Sequence, residues 1–176
     1  MIAGDPERFA IEAEVEERID NFVLGHFRFW MCGRPVGDWR DSADLLGCLH
    51  WLKDFHDEPP NRYEPGLWDL PPGEVFRLLY DPVMAGSNAV PVHEAPVPNA
   101  YSRFHIAYLG MSSLDWFHVL LLTDEDGAER CLWRGAGSEE IHDCRFSRLE
   151  MESVAGEFCD RHGPTIVATK ETQVSV

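Results

Sequence analysis

Gly4-Asp5-Pro6-Glu7-Arg8-Phe9-Ala10-Ile11-Glu12 opens the chain, and Gly25-His26-Phe27-Arg28-Phe29-Trp30-Met31-Cys32-Gly33-Arg34-Pro35-Val36-Gly37-Asp38 follows a little later. The fold is decided in this stretch. Phe9, Ile11, Ala13 and Val15 alternate with Glu12, Glu14 and Glu16, the period of a half-buried strand. Phe27, Phe29 and Met31 alternate in the same way with His26, Arg28 and Trp30. Gly33 to Pro35 then reads as a tight turn. Two consecutive strands, the first with an acidic outer face, predict one layer of an antiparallel sheet.

The same block carries a resemblance. The start Met1-Ile2-Ala3-Gly4-Asp5-Pro6, the strand Arg8-Phe9-Ala10-Ile11 and the Gly25-x-Phe27-x-Phe29 strand running into Gly33 resemble the immunity protein 42 family, found among bacterial polymorphic-toxin immunity proteins. The match is sharp over the first quarter of the chain and elsewhere follows only the order of elements. Its motifs are apolar and turn residues, so they speak to fold. The resemblance implies a cytoplasmic protein that binds and neutralises one cognate toxin, and it supplies no catalytic residues.

The remaining organisation fits one domain over residues 1–176, with enough apolar residues (44%) for a sizeable core. Leu45, Cys48, Leu49, Leu52 and Phe55 take helical spacing, with Asp41 or Ser42 as cap and Pro59-Pro60 as stop. Pro71-Pro72-Gly73-Glu74 opens a short helix through Val75, Phe76, Leu78 and Leu79. Residues 81–103 read as the one long irregular segment, with room for an edge strand at Ala89–Val92. Alternation at Phe104, Ile106 and Tyr108 predicts a strand, and the apolar run Trp116 to Leu122 predicts one buried on both faces. Hairpin turns are expected at Asp124–Gly127 and Gly135–Ser138, and a further strand over Ile141–Phe146. A last helix begins near Ser147, with Met151, Val154, Ala155 and Phe158 as its stripe and Gly163-Pro164 as its stop. Grouped strands and helices give an α+β fold: a largely antiparallel β-sheet with two or three helices packed on one face.

Charge narrows the partners. There are 31 acids against 15 bases, a net charge of −16. That argues against nucleic acid and against anionic membranes, both of which need basic patches. It is compatible with a basic, nuclease-like toxin domain, and it also serves plain solubility. The first residues lack a signal-peptide pattern, and no apolar run reaches the roughly 20 residues of a membrane helix, which favours the cytoplasm. Cys32, Cys48, Cys131, Cys144 and Cys159 show no paired spacing and read as small buried hydrophobes in a reducing compartment.

No catalytic, cofactor or metal signature emerges. There is no Gly-x-Ser-x-Gly elbow, no Gly-rich phosphate loop before a helix, and only scattered metal-ligand types such as His50 with Asp54. Three function classes are weighed. The first is an inhibitor whose partner-binding candidates are Asp54, Asp57, Glu58, Asp124, Glu125, Asp126, Glu139, Glu140 and Trp30. Trp30 joins them because its same-face neighbours are His26 and Arg28, whereas Trp116 and Trp133 read as core. The second is a small cytoplasmic enzyme with a His-containing pocket, His93 or His105 as base, under the 81–103 loop. The third is an oligomer formed through a sheet edge. The first predicts a monomer or weak homodimer with no cofactor.

Overall fold

The structure is a computed structural model that describes residues 1–81, 97–106 and 112–168. Alternation in the opening block does what it predicts. β1 (Ile2–Gly4), β2 (Phe9–Ile19), β3 (Phe22–Met31) and β4 (Arg34–Val36) form an antiparallel sheet in that order, and β5 (Ala43–Asp44) also pairs with β3. Phe9 stands opposite Met31, Ile11 opposite Phe29 and Ala13 opposite Phe27, so all six share the buried face. The two-residue turn Cys32-Gly33 has positive φ at both positions (49° and 76°), as a type I′ hairpin requires. A bulge between Val15 and Glu17 shifts the register there.

The later strands form a second antiparallel sheet, β6 (Phe117–Thr123), β7 (Glu129–Gly135) and β8 (His142–Phe146). It is apolar on both faces because it lies between two cores. Val119, Leu121, Cys131, Trp133, Cys144 and Phe146 join the first sheet, α1 (Leu45–Asp57) and α4 (Glu150–Val167) in the main core. Leu120, Leu122 and Leu132 face a smaller core with α2 (Pro72–Leu79) and α3 (Ala100–Phe104). The fold is thus α+β, with antiparallel sheets and four helices among the described residues. α1 and α4 pack on the inner face of the first sheet, and β6 is buried on both sides as its apolar run predicts.

Several local expectations are corrected. Asp44, not Asp41 or Ser42, caps α1: its carboxylate accepts from Leu46 N at 3.1 Å. α4 starts at Glu150 and does not stop at Gly163-Pro164. It runs on to Val167 because Ile166 is buried and Arg18 donates to the Ile166 and Thr165 carbonyls at 2.6 and 2.8 Å. Phe104 ends a helix, and His105 makes a single bridge to Leu120, so Phe104 faces the smaller core and Ile106 the main one. Trp116 is 63% exposed, since it sits in the turn before β6 and not within it. Cys32 and Cys144 are not separate buried hydrophobes. They form a disulfide, with Cα atoms 6.4 Å apart, joining the β3–β4 turn to β8 across 112 residues. The expected edge strand at Ala89–Val92 and the Tyr108 position lie outside the described residues, as does most of the 81–103 loop.

Two arginines tie the loop between α1 and α2 down, one to the second sheet and one to α4. Arg130 donates to Asp143 at 2.7 Å and to the carbonyls of Trp68 and Leu70 at 2.5 and 2.9 Å. Arg62 pairs with Glu152 at 2.7 Å, both almost fully buried. Glu129 lies beside them and accepts from Met151 N at 2.9 Å. Burial pushes the Glu129 carboxyl up to about 9, and the neighbouring Glu152 carboxylate adds to this. As carboxylates, Glu129 Oε1 and Glu152 Oε2 would both be buried without a donor. A proton on Glu129 supplies that donor towards Glu152, which pairs with Arg62.

Two predictions follow from this packing. A Cβ on Gly25 would lie 2.0 Å from the Glu14 carbonyl oxygen and 2.8 Å from Leu45. Gly25→Ala should therefore lower stability by about 2–4 kcal/mol in denaturant unfolding. Glu129 keeps its proton in the fold at pH values where the unfolded chain has lost it, so its contribution falls as pH rises from about 4.5 towards about 9. Glu129→Gln should unfold within about 1 kcal/mol of wild type at pH 6 and be the more stable of the two at pH 9. Parallel pH dependences for the two proteins would refute the protonated Glu129.

Candidate partner-binding surface

The outer face of the first sheet is built from the polar half of the β2–β3 alternation. Trp30, Arg28 and His26 stand along β3, with Glu12 opposite Arg28 on β2. Trp39 arrives from the chain after β4. The Arg28 guanidinium lies between two indoles, 4.6 Å from the Trp30 ring centre and 4.4 Å from that of Trp39. Glu12 accepts from Arg28 Nε and from Trp30 Nε1, both at 2.8 Å. Burial alone would raise the Glu12 carboxyl, but these two donors hold it below its ordinary value. His26 stacks on Trp39 at 5.3 Å. Trp30 therefore does face outward, half-buried, with its indole N–H already taken up by Glu12.

The acidic candidates do not converge. Asp124, Glu125 and Asp126 sit at the β6–β7 turn, where Asp124 accepts from the backbone N–H groups of Asp126 and Ala128 at 3.0 and 2.8 Å. Glu139 and Glu140 sit at the β7–β8 turn, the other end of β7, and Glu140 lies 3.5 Å from His142. At about 3.4 Å per residue, seven residues separate these two groups by roughly 20 Å. Exposed Trp116 accompanies Glu139 and Glu140, because its carbonyl accepts from Ala136 N at 2.7 Å.

Of the acidic candidates, Asp54 and Glu58 at the end of α1 border a concavity. Asp54 and Glu58 line a groove of about 320 Å³ with Trp51, Phe55, Pro60, Arg62, Tyr101, Ser102, His105 and Ile106. Asp57 points elsewhere and pairs with Lys53 at 3.3 Å. Trp51 packs on Phe55 with ring centres 4.9 Å apart. Sequence spacing could not show Tyr101 in this wall, since α3 is brought to α1 only by the tertiary fold.

The groove also contains a histidine, as the enzyme reading requires. His105 Nε2 meets the Leu79 carbonyl oxygen at 3.3 Å, and its ring stacks between Tyr80 and Tyr101. Burial lowers its pKa. No carboxylate bonds it among the described residues, so no oriented acid–base pair forms there. His93 lies outside the described residues. His50 lines a different small groove with Lys53 and Cys159, and Asp54 is not among the residues of its wall. Among the described residues no three His, Cys, Asp or Glu side chains gather as a metal would need. Among them also, no helix is long and apolar enough to cross a membrane.

The fold is shared with a solved protein. A crystal structure of CdiI from Burkholderia dolosa superposes with a TM-score of 0.72 at 19% identity, covering 92% of this chain and 99% of that one. None of the curated proteins matches the chain. The family model for immunity protein 42 matches residues 1–161, and the chain belongs to that family.

Proposed function

We propose that this protein is a cytoplasmic inhibitor that neutralises a cognate toxin by direct binding, and that the toxin domain it binds is basic. Family membership supports the inhibitor class. The observation that carries the basic partner is the net charge of −16 together with carboxylates that the fold leaves unpaired. Asp54, Glu58, Glu125, Asp126 and Glu139 have no ion-pair partner among the described residues, whereas Asp57 and Glu140 are engaged by Lys53 and His142. Trp30, half-buried beside the Arg28–Glu12 pair, adds an aromatic side chain of the kind that anchors interfaces.

Such a protein acts stoichiometrically. A negative field draws a basic cleft in and raises the on-rate, while a few well-packed side chains set residence time. A toxin that handles phosphodiesters would carry such a cleft, and an acidic inhibitor covering it would block substrate entry without any chemistry of its own.

Co-expression with the toxin domain encoded immediately upstream should restore growth, and the purified pair should run as a one-to-one complex in size exclusion with light scattering. Absence of both rescue and complex would sink the proposal.

A further inference from the structure

One disulfide stands beside three free thiols. Cys32 and Cys144 are bonded, while Cys48, Cys131 and Cys159 are free. Cys131 is the register partner of Cys144 on β7, so a third sulfur stands next to the bond. It stays out of it: the Cys131 thiol is fully buried and turns towards Met31 Sδ at 3.5 Å, and burial holds its proton. Burial likewise pushes the Cys48 thiol up to about 12. Cys32 differs. It occupies the exposed β3–β4 turn, where another thiol can reach it, whereas Cys144 is 3% exposed. The bond is added to a corner already closed without it. Cys32 N–H donates to the Arg8 carbonyl at 2.7 Å, and Gly33 N–H to that of Pro6 at 2.8 Å. Arg8 grips Glu150 at 2.8 and 2.5 Å, and Phe9 packs on Phe146.

We infer that Cys32 and Cys144 form a reversible redox clasp, opened by thiol exchange at Cys32 and closed by oxidation, with the same fold in both states. A chain of 176 residues with two cores has apolar surface enough to fold without a covalent staple. A reducing compartment keeps such a bond open until oxidants accumulate; this resting state rests on the cytoplasmic location proposed above. To open the clasp, the thiolate of a dithiol reductant attacks Cys32 Sγ. The S–S bond breaks, Cys144 leaves and takes up a proton, and the reductant is held on Cys32 as a mixed disulfide. The second thiol of the reductant then attacks its own sulfur in that bond and releases Cys32. The reductant ends as a disulfide, and each protein sulfur ends with one proton. Glutathione disulfide closes the clasp: Cys32 thiolate takes one glutathione and frees the other as thiol, and Cys144 then displaces the first. The closed bond ties the first sheet to the second across 112 residues, which makes the inhibitor harder to unfold when conditions turn oxidising.

The full chain, equilibrated in glutathione buffers of graded ratio and then trapped by alkylation, tests the clasp. The assay contains no toxin, so its failure leaves the inhibitor function standing. The bond should be open at a cytosolic glutathione ratio and closed in glutathione disulfide, with peptide mapping finding only the Cys32–Cys144 pair. Both forms should give the same circular dichroism, and closing should raise the thermal midpoint by roughly 10 °C. Cys32→Ser should melt like the reduced wild type and ignore the oxidant. A bond that stays closed at the cytosolic ratio, or never forms in glutathione disulfide, would overturn the clasp. Equal midpoints for the two forms, or a map joining Cys131 to Cys144, would do the same. An unfolded reduced wild type would also overturn it, because the bond would then be a permanent staple.

Discussion

The main core of this molecule is packed on the apolar face of the β2–β3 hairpin. Phe9, Ile11, Ala13, Phe27, Phe29 and Met31 are all buried there, and each large side chain contributes about 1.5–3 kcal/mol when fully removed from water. That face has room for two helices and one face of the second sheet. Its own geometry sets the approach: Gly25 lets Leu45 of α1 come close to β3, and Phe9 meets Phe146 of β8 edge-on at 6.0 Å. A one-residue slip in the hairpin would turn Arg28, Glu12 and Trp30 into the core and expose the phenylalanines. The outer network of tryptophans and charges is thus the obligatory other half of the same pattern.

Burying one sheet between two cores forces polar backbone and charged groups inside. The chain satisfies them with arginines. Arg130 collects two loop carbonyls and Asp143, and Arg62 neutralises Glu152 beside a protonated Glu129. Arg130 holds the loop between α1 and α2 against the second sheet, and Arg62 holds it against α4. Glu125, Asp126, Glu139 and Glu140 at the turns, and Asp54, Asp57 and Glu58 at the end of α1, are exposed.

The sequence made some of this legible and hid the rest for physical reasons. Alternation in β2 and β3, the α1 stripe, the α2 opening at Pro72 and both hairpin turns of the second sheet are local patterns, and each stands as read. Boundaries failed where tertiary contacts override local signals. Arg18 and buried Ile166 carry α4 past Pro164, and two cores claim Phe104 and Ile106 from opposite sides. Cys32 and Cys144 meet through sheet packing that no spacing rule encodes. Among the site candidates, Trp30 was legible because its strand neighbours are polar. Asp54 and Glu58 were legible only as misplaced acids. Their groove, and Tyr101 within it, depends on α3 folding back to α1.

For an immunity protein, the exposed carboxylates at the turns and at the end of α1 have one proposed role, long-range attraction of a basic partner. The association rate with the cognate toxin domain, measured from low to high ionic strength, tests this most directly. The account predicts an on-rate that falls steeply as salt screens the field, with the off-rate nearly constant. An on-rate indifferent to salt would contradict it.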